Sequence, residues 1–449
     1  MSMMTAIKRF SELLCLSTLA LTAALTQAQT MPHQSTFNTV GTVNCTSSTC
    51  HGSTFERTST PVMQNEYTIW LRQDAHTRGY EVLRNAQSQR IAKNLGLEQP
   101  AHRAKVCLDC HSHNPAHSRR GERFDQTDGV NCEACHGPAE QWIKTHLEPE
   151  PSHQKNIDNG LYPTNQPYAL AKLCLSCHQG DPTRPITHQI MGAGHPRLSI
   201  ELETFLALQP PHYVIDDDWR DRKGSFDSSK IWVMGQFVAS ENLLDLIADP
   251  NRNSQGIMPE FMIFNCHACH TTMSQQNWEY GMANTPGQPR INDSNLLMVG
   301  AIIRAITPDD FIPYKTQLDA LHIASTSPRA TLSEVVVASQ ALRTQLIESR
   351  KKIAGTVFTR NHLKLILIEL LGLASSNQYY DYTGAEQAFM SISSIANSLS
   401  VRGEKIASEI NPGLNRILVL LKNEDQYDRQ AFQNELQLLN QLAGATRHE

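Results

Sequence analysis

Apolar and polar positions follow a helical period through most of the second half of the chain, and only in pieces through the first. From about residue 291, apolar residues recur at three- and four-residue spacings. The stretch 295–306 is apolar and ends before Pro308. Thr331 and Glu334 have the spacing of a capping box. They open a helix with Leu332, Val335, Val336, Leu342 and Leu346 on one face. Further helical patterns cover 362–374, 385–399, 406–421 and 429–442. This half contains no cysteine and reads as an all-α bundle. No internal repeat of fixed period is present. Between 29 and about 290 the helical period survives only in pieces such as 67–83 and 231–246, among histidine-rich loops. The predicted fold is mainly α: a loop-rich domain over 29–290, then a helical domain over 291–449.

The first 28 residues differ from both. Lys8 and Arg9 precede an apolar stretch over 13–25, and Thr26-Gln27-Ala28 supplies the small residues that a signal peptidase needs. The stretch is short for an uncleaved anchor, so it reads as a secretory signal cut after Ala28. The longest later apolar run, 365–374, is interrupted by Glu369 and is too short to span a membrane. The mature chain is expected in the periplasm, without a stable membrane span. A formal net charge of −5 and the lack of a Lys/Arg run argue against nucleic acid and anionic membrane surfaces as partners.

Cysteine placement changes the picture most. Of the 11 cysteines, Cys15 lies in the signal. The rest form five close pairs, each followed at once by histidine: Cys45/Cys50 with His51, Cys107/Cys110 with His111, Cys132/Cys135 with His136, Cys174/Cys177 with His178, and Cys266/Cys269 with His270. Four of these read CxxCH. The first reads CTSSTCH. Two thiols at that spacing can add to the two vinyl groups on one edge of a haem, and the next residue then reaches beneath the ring as an axial ligand. Structural zinc sites do not need a histidine directly after the second cysteine, and a redox CxxC usually occurs once. The motifs therefore imply five covalent haem c groups. The longer spacer of Cys45/Cys50 also suits a disulfide.

A second inventory concerns the sixth ligands. The chain has 19 histidines, five of them directly after the second cysteine of a motif. The spare set is His76, His102, His113, His117, His146, His153, His188, His195 and His212. His267 lies inside a motif. Three of the spare set have supporting context. His76 follows Tyr67, Trp70 and Leu71 on a predicted helix. His146 stands ten residues after His136. His195 lies in MGAGHPRL, where Gly192 and Gly194 would allow close approach to a flat cofactor. Asp216-Asp217-Asp218 reads as a solvated acidic loop, because the spaced ligands of a calcium loop are missing.

The order WLRQDAHT, VCLDCH, GVNCEACHGPAEQW with His146 downstream, then LCLSCH, resembles the tetrahaem cytochrome c-554 family of electron acceptors linked to hydroxylamine oxidation. The resemblance covers roughly 44–195. It implies a mostly helical, loop-rich fold with haems in close pairs. It also implies that His76, His146 and a histidine after the fourth motif serve haems other than their sequence neighbours, and that the haem at Cys107/Cys110 is five-coordinate. The four-residue first spacer, the fifth motif CHACH and the long C-terminal extension depart from that pattern. The function expected is a relay of electrons between redox partner proteins. The alternative is a haem enzyme acting on a small nitrogen or sulfur species at one open iron, with Arg119, Arg120 and Arg123 drawing an anion or pairing with haem propionates. The C-terminal helices are the candidate surface for an oligomer.

Overall fold

The computed structural model describes residues 30–58, 62–148, 152–250, 260–270, 290–327, 329–376, 378–379 and 381–445. The expected signal segment lies outside them. The described residues hold helices and three isolated β-bridges, and no β-strand. No helix among them is long and apolar enough to cross a membrane.

The capping box forms as the sequence predicts. The Thr331 hydroxyl accepts from the Glu334 amide, and the Glu334 carboxylate accepts from the Thr331 amide at 2.6 Å. It opens the helix Leu332–Ala354. Ser294–Ile306, Arg360–Ser375, Tyr382–Val401, Ile406–Leu420 and Arg429–Ala445 match the other periodic stretches to within a few residues. One helix that the periodicity does not mark, Phe311–Thr326, lies between them. Pro313 falls in its first turn, where a backbone N–H has no intrahelical acceptor and proline is tolerated.

The bundle begins earlier in the chain than the change in composition suggests. Ser228–Ala248 is buried nearly all round, with Trp232, Val233, Phe237, Val238 and Leu244 at 0% exposure. It belongs to one continuous core that runs from Ala171 and Leu175 through Leu202 to Ala443. The packing boundary therefore falls inside the predicted 29–290 domain. A helix buried on all faces needs partners on all faces, and the C-terminal helices provide them. Trp232 donates its indole N–H to Ser391 Oγ at 3.1 Å, tying this helix to Tyr382–Val401.

The region before Ser228 is built differently. Its helices are short, and apart from Ala171, Leu175 and Leu202, which join the main core, its apolar clusters are small: Leu83/Ala92/Ala101/Leu108 and Met31/Tyr162/Ala169. The helix predicted over 67–83 is interrupted. Glu66–Gln73 ends at Asp74, whose carboxylate accepts from the His76 amide at 2.9 Å and starts a new turn. That break turns His76 off the helix. The three aspartates at 216–218 cap the helix Asp217–Lys223, with Asp216 accepting from the Trp219 amide at 2.8 Å. Acidic residues suit a helix N-terminus, so they are a cap and first turn rather than a free loop.

Trp232→Ala should cost about 3–5 kcal/mol. Denaturant unfolding followed by far-UV circular dichroism should show the loss in the helical transition of the whole bundle, because the core is shared.

Candidate haem-binding site

None of the ten cysteines of the five motifs is in a disulfide, Cys45 and Cys50 included. Each motif histidine stands opposite a second imidazole. Ring centroids are 6.4 Å apart for His51 and His146, 6.2 Å for His111 and His195, and 6.2 Å for His136 and His212. They are 5.8 Å apart for His178 and His76, and 6.2 Å for His270 and His188. An iron about 2 Å from each ring nitrogen, with roughly 1 Å more from nitrogen to ring centre, calls for a centroid spacing of about 6 Å. Five thiol pairs beside five imidazole pairs at that spacing fit haem c.

Several of these rings are held through their other nitrogen. His51 Nδ1 bonds Glu66 Oε2 at 2.9 Å, and His76 Nδ1 bonds Asp74 Oδ1 at 2.8 Å. His146 Nδ1 meets the Trp142 carbonyl at 3.2 Å, and His195 Nδ1 the Pro196 carbonyl at 2.8 Å. An acceptor at Nδ1 keeps the proton there and leaves the Nε2 lone pair for a metal. The Asp74 carboxyl also accepts from Gln209 Nε2 at 2.9 Å. Burial alone would raise its pKa, but the bonds from His76 and Gln209 outweigh burial and hold it well below the carboxylate range. One carboxylate thus ties His76 to the segment that leads to His212. Burial, then the neighbouring His212, lowers His136 to about 3. Burial, then His76, lowers His178 to about 4. Both stay neutral, which is the form that ligates.

Of the three histidines singled out in the sequence, His76, His146 and His195 face His178, His51 and His111 respectively. The second motif, expected to have an open position, therefore has a facing imidazole. Gly194 (φ +112°) makes the turn that presents His195. A Cβ at Gly192 would meet no protein atom within 4 Å. His188 and His212, left without a role by the sequence, complete the other two pairs. The available signal was arithmetic: five motif histidines call for five partners, and both belong to the spare set. His102, His113 and His153 sit against Tyr80, Phe124 and Asn165 instead. Arg120 donates to Gln126, Asn114 and the Pro115 carbonyl and lies over Phe124, so internal groups occupy it.

The motifs also touch one another. Cys45 lies within hydrogen-bond reach of Cys132, and Cys110 of Cys177. First and third motifs are neighbours, as are second and fourth. Glu133, inside CEACH, fixes the first contact. Its carboxylate accepts from the amides of Val40, Gly41 and Ala139, each at 2.8 Å, and the residue is 1% exposed. Gly129 (φ +69°) fixes a second junction, since a Cβ there would stand 2.8 Å from the carbonyl oxygens of His76 and Thr77. The Val130 amide donates to the His76 carbonyl at 3.1 Å, and Trp70 Nε1 to the Val130 carbonyl at 3.2 Å. The strings GVNCEACH and WLRQDAHT are therefore parts of one contact.

Residues 44–137 match the family described as cytochrome c554 and c-prime. The chain is a c-type cytochrome resembling that family. The matched segment contains the first three motifs, His76 and Glu133, and covalent haem c and electron transfer come with it. The fourth and fifth motifs and the helical bundle lie beyond it. No curated protein and no solved structure matches the chain.

Glu133→Ala would strand three backbone donors, at about 1–3 kcal/mol for each one left buried without an acceptor. Stability should fall by about 3 kcal/mol or more in a denaturant titration, and the low-spin signals of the first and third sites should be lost at lower denaturant than those of the others.

Proposed function

We propose that this chain is a periplasmic electron relay carrying five covalent haem c groups, each held between two histidines. The attachment residues are Cys45, Cys50, Cys107, Cys110, Cys132, Cys135, Cys174, Cys177, Cys266 and Cys269. The axial pairs are His51/His146, His111/His195, His136/His212, His178/His76 and His270/His188. The observation that carries the reading is the facing of all five motif histidines by a second imidazole at 5.8–6.4 Å. Bound haem supplies an iron that takes up and gives back one electron. The protein keeps both rings of each pair in place, fixes the tautomer through Glu66, Asp74 and backbone carbonyls, and leaves no position for a substrate at any pair. These features favour electron transfer over catalysis at an open site.

Neighbouring thiols also suggest an order for the sites. The first adjoins the third through Cys45 and Cys132. The third adjoins the fourth through Cys135 and Cys174, where burial, then the nearby Cys135 thiolate, pushes the Cys174 thiol up. The fourth adjoins the second through Cys177 and Cys110. Residues 188–195 then carry the partners of the fifth and second motif histidines, placing the fifth site next to the second. The periplasmic part of the reading rests on the sequence of the segment ending at Ala28, which has the form of a cleaved signal.

Mass spectrometry of the mature protein should give a chain beginning at Gln29 with five haems. Its oxidised EPR spectrum should contain low-spin signals only, and CO should leave the reduced spectrum unchanged. His195→Ala should turn one haem high-spin and CO-reactive while the count stays at five. A CO-reactive haem in the unaltered protein would defeat the reading.

A further inference from the structure

The fifth motif and the C-terminal helices both lie outside the segment shared with the family, and they are in contact with each other. The approach to CHACH is stitched to the start of the bundle. The Asn265 amide donates to the Arg290 carbonyl at 2.8 Å, and the Asn292 amide to the Ile263 carbonyl at 2.9 Å. Ile263 and Ile291, on the two sides of this contact, are both members of the main core. Asn265 Nδ2 also donates to the buried carboxylate of Asp381, the N-cap of the helix Tyr382–Val401.

Two side chains from the haem half meet the bundle at one carboxylate. His267, three residues before His270, places Nε2 3.1 Å from Glu424 Oε1, and its ring lies 5.9 Å from that of Tyr382. Arg197, two residues after His195, places Nε 3.5 Å from Glu424 Oε2 and Nη2 2.7 Å from Glu386 Oε2. Its guanidinium stands 5.4 Å from the centre of the same Tyr382 ring. Glu424 thus holds the loop of the fifth motif and, through Arg197, the segment that sets His195 opposite His111. Its two partners stand two and three residues along the chain from His195 and His270, members of two of the five histidine pairs.

We propose that Glu424 is a positioning residue for the second and fifth haem sites, so that the bundle sets the potentials of these two and leaves the other three alone. This rests on the two-histidine reading of the sites. A carboxylate favours the oxidised, more positive form of a nearby iron, so its loss raises the potential. The contact also explains His267, which acts as a docking side chain rather than a ligand.

The test is a spectroelectrochemical titration of the full-length, haem-loaded Glu424→Gln variant. Two of the five potentials should rise, by up to tenfold in the one-electron equilibrium, about 59 mV. The other three should stay, and Glu424→Asp should restore part of the shift. His188→Met and His195→Met identify which potentials belong to the fifth and second sites, since methionine ligation raises the potential of each. His267→Phe keeps a ring against Tyr382 but ends the contact with Glu424, so it should move the fifth potential alone. The proposal is overturned if Glu424→Gln moves no potential, moves all five together, or lowers them. Fewer than five six-coordinate haems in the unaltered protein would instead defeat the ligation reading, whatever the variant does.

Discussion

The facing of one imidazole by another across about 6 Å is the constraint on which the first half of the molecule depends. A pair of rings held at that distance leaves a gap that neither ring can close. The chain around it therefore cannot collapse into an ordinary apolar core. That is why the apolar clusters before Ser228 are small and why the helices there are short. Order comes instead from polar contacts of fixed direction. Asp74 orients His76, Glu66 orients His51, and Glu133 clasps the amides that lead into the first motif. Buried carboxylates of this kind cost desolvation unless every lone pair is used, and Glu133 and Asp74 both accept more than one hydrogen bond.

The second half follows a different rule. Its helices satisfy their own backbone and bury apolar faces against each other, so its stability does not wait on a cofactor. The two halves meet along Ser228–Ala248 and at the network of Arg197, His267, Tyr382, Glu386 and Glu424. At this meeting a rigid bundle supports a loop that carries chemistry. A motif such as CHACH, on a 3-10 turn over Cys266–Ala268, has little structure of its own to hold it. Anchoring its neighbours Asn265 and His267 to helices supplies what the local sequence lacks.

The sequence by itself determined the attachment chemistry, because thiol spacing and the following histidine are covalent facts that need no fold. It also determined the helical class and most helices of the bundle, since a 3.6-residue period and the Thr331 capping box are local properties of the chain. Tertiary structure alone decided which histidine faces which. His212 and His188 lie far along the chain from His136 and His270, and nothing local in PPHY or THQI marks a partner. It also decided that Ser228–Ala248 belongs with the bundle, because a helix apolar on every side carries no sign of which neighbours will cover it. The break at Asp74 was equally hidden. A helical period runs through that point, and only the capping bond to His76 and the long-range bond from Gln209, 135 residues away, make stopping there more favourable than continuing. Local patterns record what a segment can do alone, and these three outcomes depend on groups that only folding brings together.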